Sequence, residues 1–352
     1  MSCRALTESA AHHKAGAIHV RPGQKIQDAI NAAAPGDEII VEAGTYREQL
    51  LIQKDGISLV GHNAVIEPPE NPKSNFCTGI AGNDTQAGIC VAGRDVELAP
   101  FVVEHRKVLS ARDPVKGVSV TGFHVRGFFG FNIAVVGTKD TQVTNNRLSA
   151  GLVYGFLTAG SIDTRISHNV VVSADKLGFI GVCMDNFRGV QATDNRVSGY
   201  QFAAFCVQTS GADVRNNDAS GNCFGVFVDP AVRGAMIRGN HIGPSSPKCT
   251  GPGSVGVFGI TIDSAIDTRV EGNIVEGQRN AGEGVGIAII DDKCDVLSLA
   301  CVILGKQAPI ASGNVVVGNI LRNNDIDLLL NTTGRNIVSN NKYSTSRPAK
   351  LP

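Results

Sequence analysis

Five side chains close a series of short apolar runs in the second half of the chain: Asp185, Gln208, Asp229, Asp263 and Asp291. The runs read Gly181-Val-Cys-Met-Asp185, Ala204-Phe-Cys-Val-Gln208, Gly225-Val-Phe-Val-Asp229, Gly259-Ile-Thr-Ile-Asp263 and Gly286-Ile-Ala-Ile-Ile-Asp291. If such runs stack as neighbouring strands, Asp229 and Asp263 lie about 5 Å apart and Asp185 and Asp229 about 9 to 10 Å apart. Those separations bracket the carboxylate pairs of retaining and inverting glycosidases. Neighbouring carboxylates also raise one another's pKa, which suits general acid–base work. Arg188 and Arg233 follow Asp185 and Asp229 closely. They could clamp a uronate through two hydrogen bonds each, or pair with their own Asp. The same acids could hold calcium, which takes several oxygen ligands. Asp also closes turns by accepting backbone N–H bonds, with no chemistry implied.

Alternation along the runs assigns the faces. Ile133, Phe156, Val182, Phe205, Val226, Ile260 and Ile287 form one inward column, and Val135, Met184, Val207, Val228 and Ile262 a second. Between them, Cys183, Cys206, Phe227 and Thr261 point outward with Gln208 and the acids. An outward face that is small, apolar and edged by acids is unusual for plain solvent exposure, so it is the expected groove or subunit interface.

The element that must position this face is a repeat. An apolar residue, two variable residues and Asn recur as Val143-Thr-Asn-Asn146, Ile166-Ser-His-Asn169, Ala192-Thr-Asp-Asn195, Val214-Arg-Asn-Asn217, Ile237-Arg-Gly-Asn240, Val270-Glu-Gly-Asn273, Ala311-Ser-Gly-Asn314 and Val338-Ser-Asn-Asn341. A recurrence of about 22 to 27 residues, with Gly and Asn at corners and little helical periodicity, predicts a β-solenoid. One coil cannot bury its own apolar face, so the coils must stack, and stacked Asn side chains can form a hydrogen-bonded ladder. The Asn column is expected to be structural.

The chain has 352 residues, 41 Gly, no Trp and a net charge of zero. It contains no linker-like break, and a solenoid core grows in one dimension, so one domain is expected over residues 17–343. Residues 1–16 read as a flexible arm and 344–352 as a polar tail. Long loops are expected at 69–106, 243–254 and 291–311. Charge neutrality argues against nucleic acid as a partner, and no apolar run is long enough to span a bilayer. The expected partner is a carbohydrate or a small-molecule substrate, with a homo-oligomer as the alternative use of the face.

Nine cysteines leave at least one outside an intrachain pair. Cys77 and Cys90 bracket a Gly-rich segment and could pair. Cys294 and Cys301 bracket another, with Cys249 as a rival partner. Cys183 and Cys206 fall at equivalent positions on successive coils and read as free thiols. No Cys-x-x-Cys pair occurs, so a structural zinc site is not expected. Loop cysteines of this kind favour an oxidising, extracellular compartment. The chain begins Met1-Ser-Cys-Arg4, without the apolar stretch of a signal peptide.

The N-terminal segment carries a resemblance. A strand at Ala17-Ile-His-Val20 precedes an amphipathic helix over about residues 24–34. Pro35-Gly36 ends the helix, and Asp37-Glu-Ile-Ile-Val41, Gly44-Thr-Tyr-Arg-Glu48, Leu50-Leu-Ile52 and Ile57-Ser-Leu-Val60 follow. This order resembles the opening of the right-handed parallel β-helix, or pectin-lyase-like, superfamily. The resemblance implies an all-β solenoid closed by a short capping helix. It also implies a carbohydrate-active protein: a polysaccharide lyase, hydrolase or epimerase. Lyases of the superfamily use Arg or Lys as the base beside a carboxylate, which is the role Arg188 or Arg233 would take. The pectin methylesterase, polygalacturonase and pectate lyase signatures are absent, so no catalytic role is carried over. Two rival readings use the same face: a non-catalytic glycan-binding or oligomeric scaffold, and an enzyme for a small apolar metabolite.

Overall fold

The computed structural model describes residues 17–174, 176–250, 256–294, 299–304, 307–349 and 351. The expected arm at 1–16, with Cys3, lies outside them. The described residues form a parallel β-helix. One sheet holds eleven strands, one per coil, in the order of the sequence from Leu50–Ile52 through Ala87–Ala92, Phe131–Val136, Tyr154–Ala159, Gly178–Asp185, Tyr200–Val207, Phe224–Val228, Phe258–Asp263, Val285–Ile290 and Ile326–Asn331 to Ser346–Arg347. This sheet carries the candidate site. Apart from one antiparallel hairpin, the remaining strands form the other walls in parallel register.

Both expected inward columns are buried. Ile133 pairs with Phe156, and the column runs on through Val182, Phe205, Val226, Ile260 and Ile287. Each is at most 1% exposed. Burying such a side chain contributes about 1.5–3 kcal/mol, but only when the coils above and below are in place. The outward column is also in register: Ala134, Leu157, Cys183, Cys206, Phe227, Thr261 and Ala288 are successive partners.

The Asn ladder runs through Asn146, Asn169, Asn195, Asn217, Asn240, Asn273, Asn319 and Asn341. Each Asn Oδ1 accepts from the backbone N–H and the side-chain amide of the Asn below it, at 2.9–3.2 Å. Asn314, expected in this ladder, belongs to a second one with Thr268 and Asn336. Two look-alike phrases, ending at Asn314 and Asn319, stand five residues apart, and spacing alone does not choose between them. The left-handed corner is taken by the residue before each ladder Asn: Asn145, His168, Asp194, Asn216, Gly239, Gly272, Gly318 and Asn340. These are the residue types that tolerate positive φ, and they leave the Asn itself free to bond along the stack.

The capping helix spans Ile26–Ala32. Its Gln27 side chain donates to Leu51 O (3.1 Å) and accepts from Leu51 N (2.7 Å), so the first strand of the site sheet has its edge satisfied by the cap. The Glu48 carboxylate accepts from Ile26 N and Gln27 N, tying the helix start to the first turn.

Two expected boundaries change. Segment 69–106, expected as loop, contains the site-sheet strand Ala87–Ala92 and one arm of an antiparallel hairpin, Asp95–Leu98 paired with Val108–Asp113. Its small residues and Gly hid the strand pattern. The tail is not free of the solenoid either: Ser346–Arg347 pairs with Leu328 and Leu329. Three disulfides are present among the described residues: Cys77–Cys90, Cys223–Cys249 and Cys294–Cys301. The pairing of Cys249 with Cys223, rather than with a cysteine of the later loop, follows from neighbouring coils placing them 5.3 Å apart at Cα. Cys183 and Cys206 are free and buried.

Candidate functional site

The outer face of the site sheet is not an open groove along its whole length. The hairpin folds back over its N-terminal coils, and Ile80, Ala81, Val96, Leu98 and Val108 pack on Ala134, Leu157, Cys183 and Cys206. The Cys77–Cys90 bridge fastens this roof to the sheet. Close approach requires glycine beneath it. A Cβ on Gly160 (φ +56°) would lie 2.3 Å from Val108 Cβ, and one on Gly137 2.5 Å from Val96 Cγ2.

The hairpin tip brings Glu104, His105 and Lys107 onto the end of the sheet's strands. There the outermost column reads Val136, Ala159, Asp185, Gln208, Asp229, Asp263, Ile290. The column is polar for four coils only, and the tip lands on them. Lys107 Nζ donates to Asp185 Oδ2 (3.0 Å) and to Gln208 Oε1 (2.6 Å). Gln208 Nε2 donates to both Glu104 Oε2 and Asp229 Oδ2, each at 2.8 Å. His105 Nε2 faces Asp185 Oδ2 at 2.9 Å, and its Nδ1 faces Tyr154 Oη at 3.2 Å. With Nε2–H donating to the carboxylate, Nδ1 accepts the Tyr154 hydroxyl proton, so one imidazole tautomer satisfies both partners. Cys206 Sγ lies 3.6 Å from Asp229 Oδ1.

Equivalent positions on successive coils thus receive different electrostatics. Burial pushes the Asp185 pKa up, but Lys107 and His105 outweigh it and hold the carboxyl below its usual range. Burial works against the Lys107 ammonium, yet Asp185 keeps its pKa above the ordinary value. Burial, then the Glu104 charge, push the Asp229 pKa well above the ordinary carboxyl range. Burial, then the charges of Asp292 and Asp291, raise Asp263 to about 7. Buried Cys183, and Cys206 hydrogen-bonded to it, remain thiols. Carboxyls driven apart in this way can donate and accept protons at one pH.

Opposite the acids, at the strand starts, runs an aromatic wall. Phe131 stacks on Tyr154, and Phe179, Phe202, Phe224 and Phe258 follow with ring centroids 4.9–6.2 Å apart. Phe227 leans between Phe202 and Phe224. The Phe179, Phe202, Phe227 and Phe258 rings are half-buried.

The structure brings together Asp185, Gln208, Asp229 and Asp263 of the expected set; of the expected lining, Cys183, Cys206 and Thr261 are buried and Phe227 is half-buried. It does not bring in three others. Asp291 lies one residue past the column, because Ile290 takes the position level with Asp263. Its carboxylate accepts from Ala311 N, Thr332 Oγ1 and Thr333 N. The extra Ile of Ile289-Ile290 shifts the register by one. Arg188 and Arg233 are exposed and lie beyond the corner, where Arg188 pairs with Ile162 in the adjacent wall and Arg233 bridges Ile266. Neither makes the ion pair considered for it: Asp185 is engaged by Lys107 and His105.

Sequence reading missed Glu104, His105 and Lys107, which lie 78 to 104 residues from their partners in the column. One signal was available: Glu104-His-Arg-Lys107 is a run of four ionisable residues in a chain only 18% charged. Among potential metal ligands, Asp292, Cys294 and Cys301 converge. The two sulfurs are joined as a disulfide, so the donor set does not suit a metal ion.

The architecture is a parallel β-helix, here with a hairpin folded over a largely buried row of acids. Among solved structures, the chain is similar to the alginate lyase from Paenibacillus sp. str. FPU-7, at 13% identity and TM-score 0.56, over 93% of this chain and 99% of that one. It is similar to the periplasmic alginate epimerase AlgG, at 11% identity and TM-score 0.52, over 93% and 83%. It is also similar to PfbA, a surface adhesin of Streptococcus pneumoniae, at 14% identity and TM-score 0.53, over 90% and 88%. At these identities the likeness concerns the fold. No protein-family model and no curated protein sequence matches the chain. No helix among the described residues is long and apolar enough to cross a membrane.

Proposed function

We propose that the chain is an enzyme acting on a polysaccharide in the cleft between the acid column and the aromatic wall, with Asp229 as proton donor and Asp263 as proton acceptor. One observation carries this reading. Three carboxyls at equivalent positions of one solenoid face meet different surroundings: Asp185 binds Lys107 and His105, Asp229 accepts from Gln208, and Asp263 Oδ1 has no partner, so the first pKa is shifted down, the second well up and the third up to about 7. General acid–base chemistry needs that separation, whereas plain turn residues do not. Lys107 supplies the positive charge beside Asp185. We therefore propose that turnover needs no calcium. The three disulfides suit a secreted enzyme. The half-buried phenylalanines suit the C–H faces of sugar rings, and they equally favour a second reading, a small apolar substrate.

The test is mass spectrometry of products from a panel of neutral and uronic polysaccharides, with and without a chelator. An NMR check covers epimerisation, which leaves mass unchanged. Wild-type protein is expected to convert at least one polymer at the same rate with chelator present, and Asp229→Asn to lose at least 100-fold of that rate. A panel left wholly unchanged by both methods would sink the polysaccharide reading and move attention to small substrates.

A further inference from the structure

Two of the expected site residues remain without a task. Arg188 and Arg233 lie past the corner that follows the acid column, exposed to solvent. Register puts them in one row with a third cation. Lys139 pairs with Ile162, and Ile162 with Arg188. Three residues before the successive partners Gln191, Asp213 and Met236 stand Arg188, Ser210 and Arg233. The row therefore reads Lys139, Ile162, Arg188, Ser210, Arg233, with a cation on every second coil and no acid between. Hydrogen-bonded coils are about 4.8 Å apart, so successive cations stand about 10 Å apart at the backbone.

These charges are uncommitted. Further along the same wall, Arg215 and Arg238 hold Asp213. Lys139, Arg188 and Arg233 make no ion pair among the described residues. The nearest acids in the chain, Asp140 and Asp163, follow Lys139 and Ile162, and Asp163 reaches to Gly189. After Arg233 comes Gly234. Asp185 is taken by Lys107 and His105, and Asp229 is buried. A second observation lies in the middle coil of the row. Earlier coils bury Thr138 and Ser161 at this corner. Here Asn186 fills the inward place, accepting from Thr158 Oγ1 and donating to Thr164 Oγ1. Phe187 is turned out beside Arg188, at 50% exposure. An exposed ring offers a flat apolar face, and arginine binds carboxylate and similar oxyanions through two parallel hydrogen bonds.

We infer that this corner is a docking strip for an acidic polysaccharide lying along the solenoid axis, with its anionic groups on Arg233, Arg188 and Lys139 and a sugar ring on Phe187. Nucleic acid fits less well, because its phosphates follow at about 3.4 Å along each strand, far closer than the cations of the row. Anions on alternate sugars of an extended chain match the row better. The strip is separate from the proton chemistry proposed above, and binding is read without turnover, so either can fail alone.

The experiment is affinity electrophoresis at low salt through polygalacturonate, dextran sulfate, dextran and single-stranded DNA. Wild type is run beside Arg188→Gln/Arg233→Gln, Phe187→Ala and a control, Lys176→Gln/Lys293→Gln, which changes two exposed cations off the row. The Arg188 and Arg233 side chains hold no partner in the protein, so their variant is expected to fold, and thermal unfolding checks this. Wild type should be retarded by a charged polysaccharide and not by dextran, and added salt should abolish the retardation. Polygalacturonate alone would assign carboxylate as the anion, dextran sulfate alone sulfate, and both together a site for either. The double arginine variant should bind at least about tenfold more weakly and Phe187→Ala several-fold, with the control unchanged. Unchanged wild-type mobility in both charged polysaccharides, or equal binding by the double arginine variant, would overturn the strip. Loss in the lysine control instead would overturn it by moving the anion site off the row. Tighter retention by DNA than by either polysaccharide would overturn the glycan assignment.

Discussion

Asp185, Gln208, Asp229 and Asp263 hold one position on four coils, and their surroundings make them four different groups. The sign of one effect can be measured without a substrate. Burial, with the charges of Asp292 and Asp291, raises the Asp263 pKa to about 7 in the folded protein, against 3.8 for an unperturbed aspartate. Because the folded state binds the proton more tightly, stability is lost as pH rises from about 4 to about 7. Once both states are ionised, the penalty is on the order of 4 kcal/mol. Asp263→Asn should therefore be more stable than wild type in urea denaturation at pH 8, and the gain should vanish near pH 4. A gain of equal size at both values would mean that the carboxyl is not held protonated by its surroundings. In the same terms, turnover should rise with pH through about 7 as Asp263 ionises, and fall again where Asp229 loses its proton.

At the scale of elements, the hairpin makes the difference between a ridge of turn residues and a cleft. It supplies Glu104, His105 and Lys107, and it packs with the outward column as far as Cys183 and Cys206. Its seat depends on glycine where Val108 crosses the sheet corner at Gly160. Gly160→Ala adds a methyl group into Val108 and costs a further 1–2 kcal/mol or so for the left-handed backbone. The solenoid should still fold, because the core columns do not touch this methyl. The tip should lift, and activity should fall far more than stability. Circular dichroism and thermal unfolding beside the polymer assay would check this. Full activity in a folded Gly160→Ala protein would show that the tip's position does not matter.

Over the whole molecule, stability is distributed along a stack in which each coil leans on two neighbours. Asn195 stands mid-ladder: its Oδ1 accepts from Asn169 N and Nδ2, and its amide donates to Ile166 O and Asn217 Oδ1. Asn195→Ala leaves these buried groups without partners, at about 1–3 kcal/mol each. Asn341 ends the ladder and is half-exposed, so water can replace its bonds. Asn341→Ala should cost only about 1 kcal/mol. Denaturant midpoints of the two variants should differ widely; equal midpoints would mean that the ladder is not a cooperative element.

The division between sequence and tertiary structure follows from distance along the chain. Strand alternation, the repeat and the capping helix are local or periodic, so residues such as Val182, Phe205 and Asn217 announced the solenoid, its inward columns and its acid edge. Register beyond an irregular coil was not legible: one extra Ile displaced Asp291, and two similar phrases exchanged Asn314 for Asn319. The cleft itself could not be read. Lys107 meets Asp185 across 78 residues, Cys223 meets Cys249 across a coil, and Arg188 turns away at a corner. Sequence placed the carboxyls in a row; only the fold, through burial, the hairpin's Glu104, His105 and Lys107 and the charges of Asp292 and Asp291, set their pKa values apart.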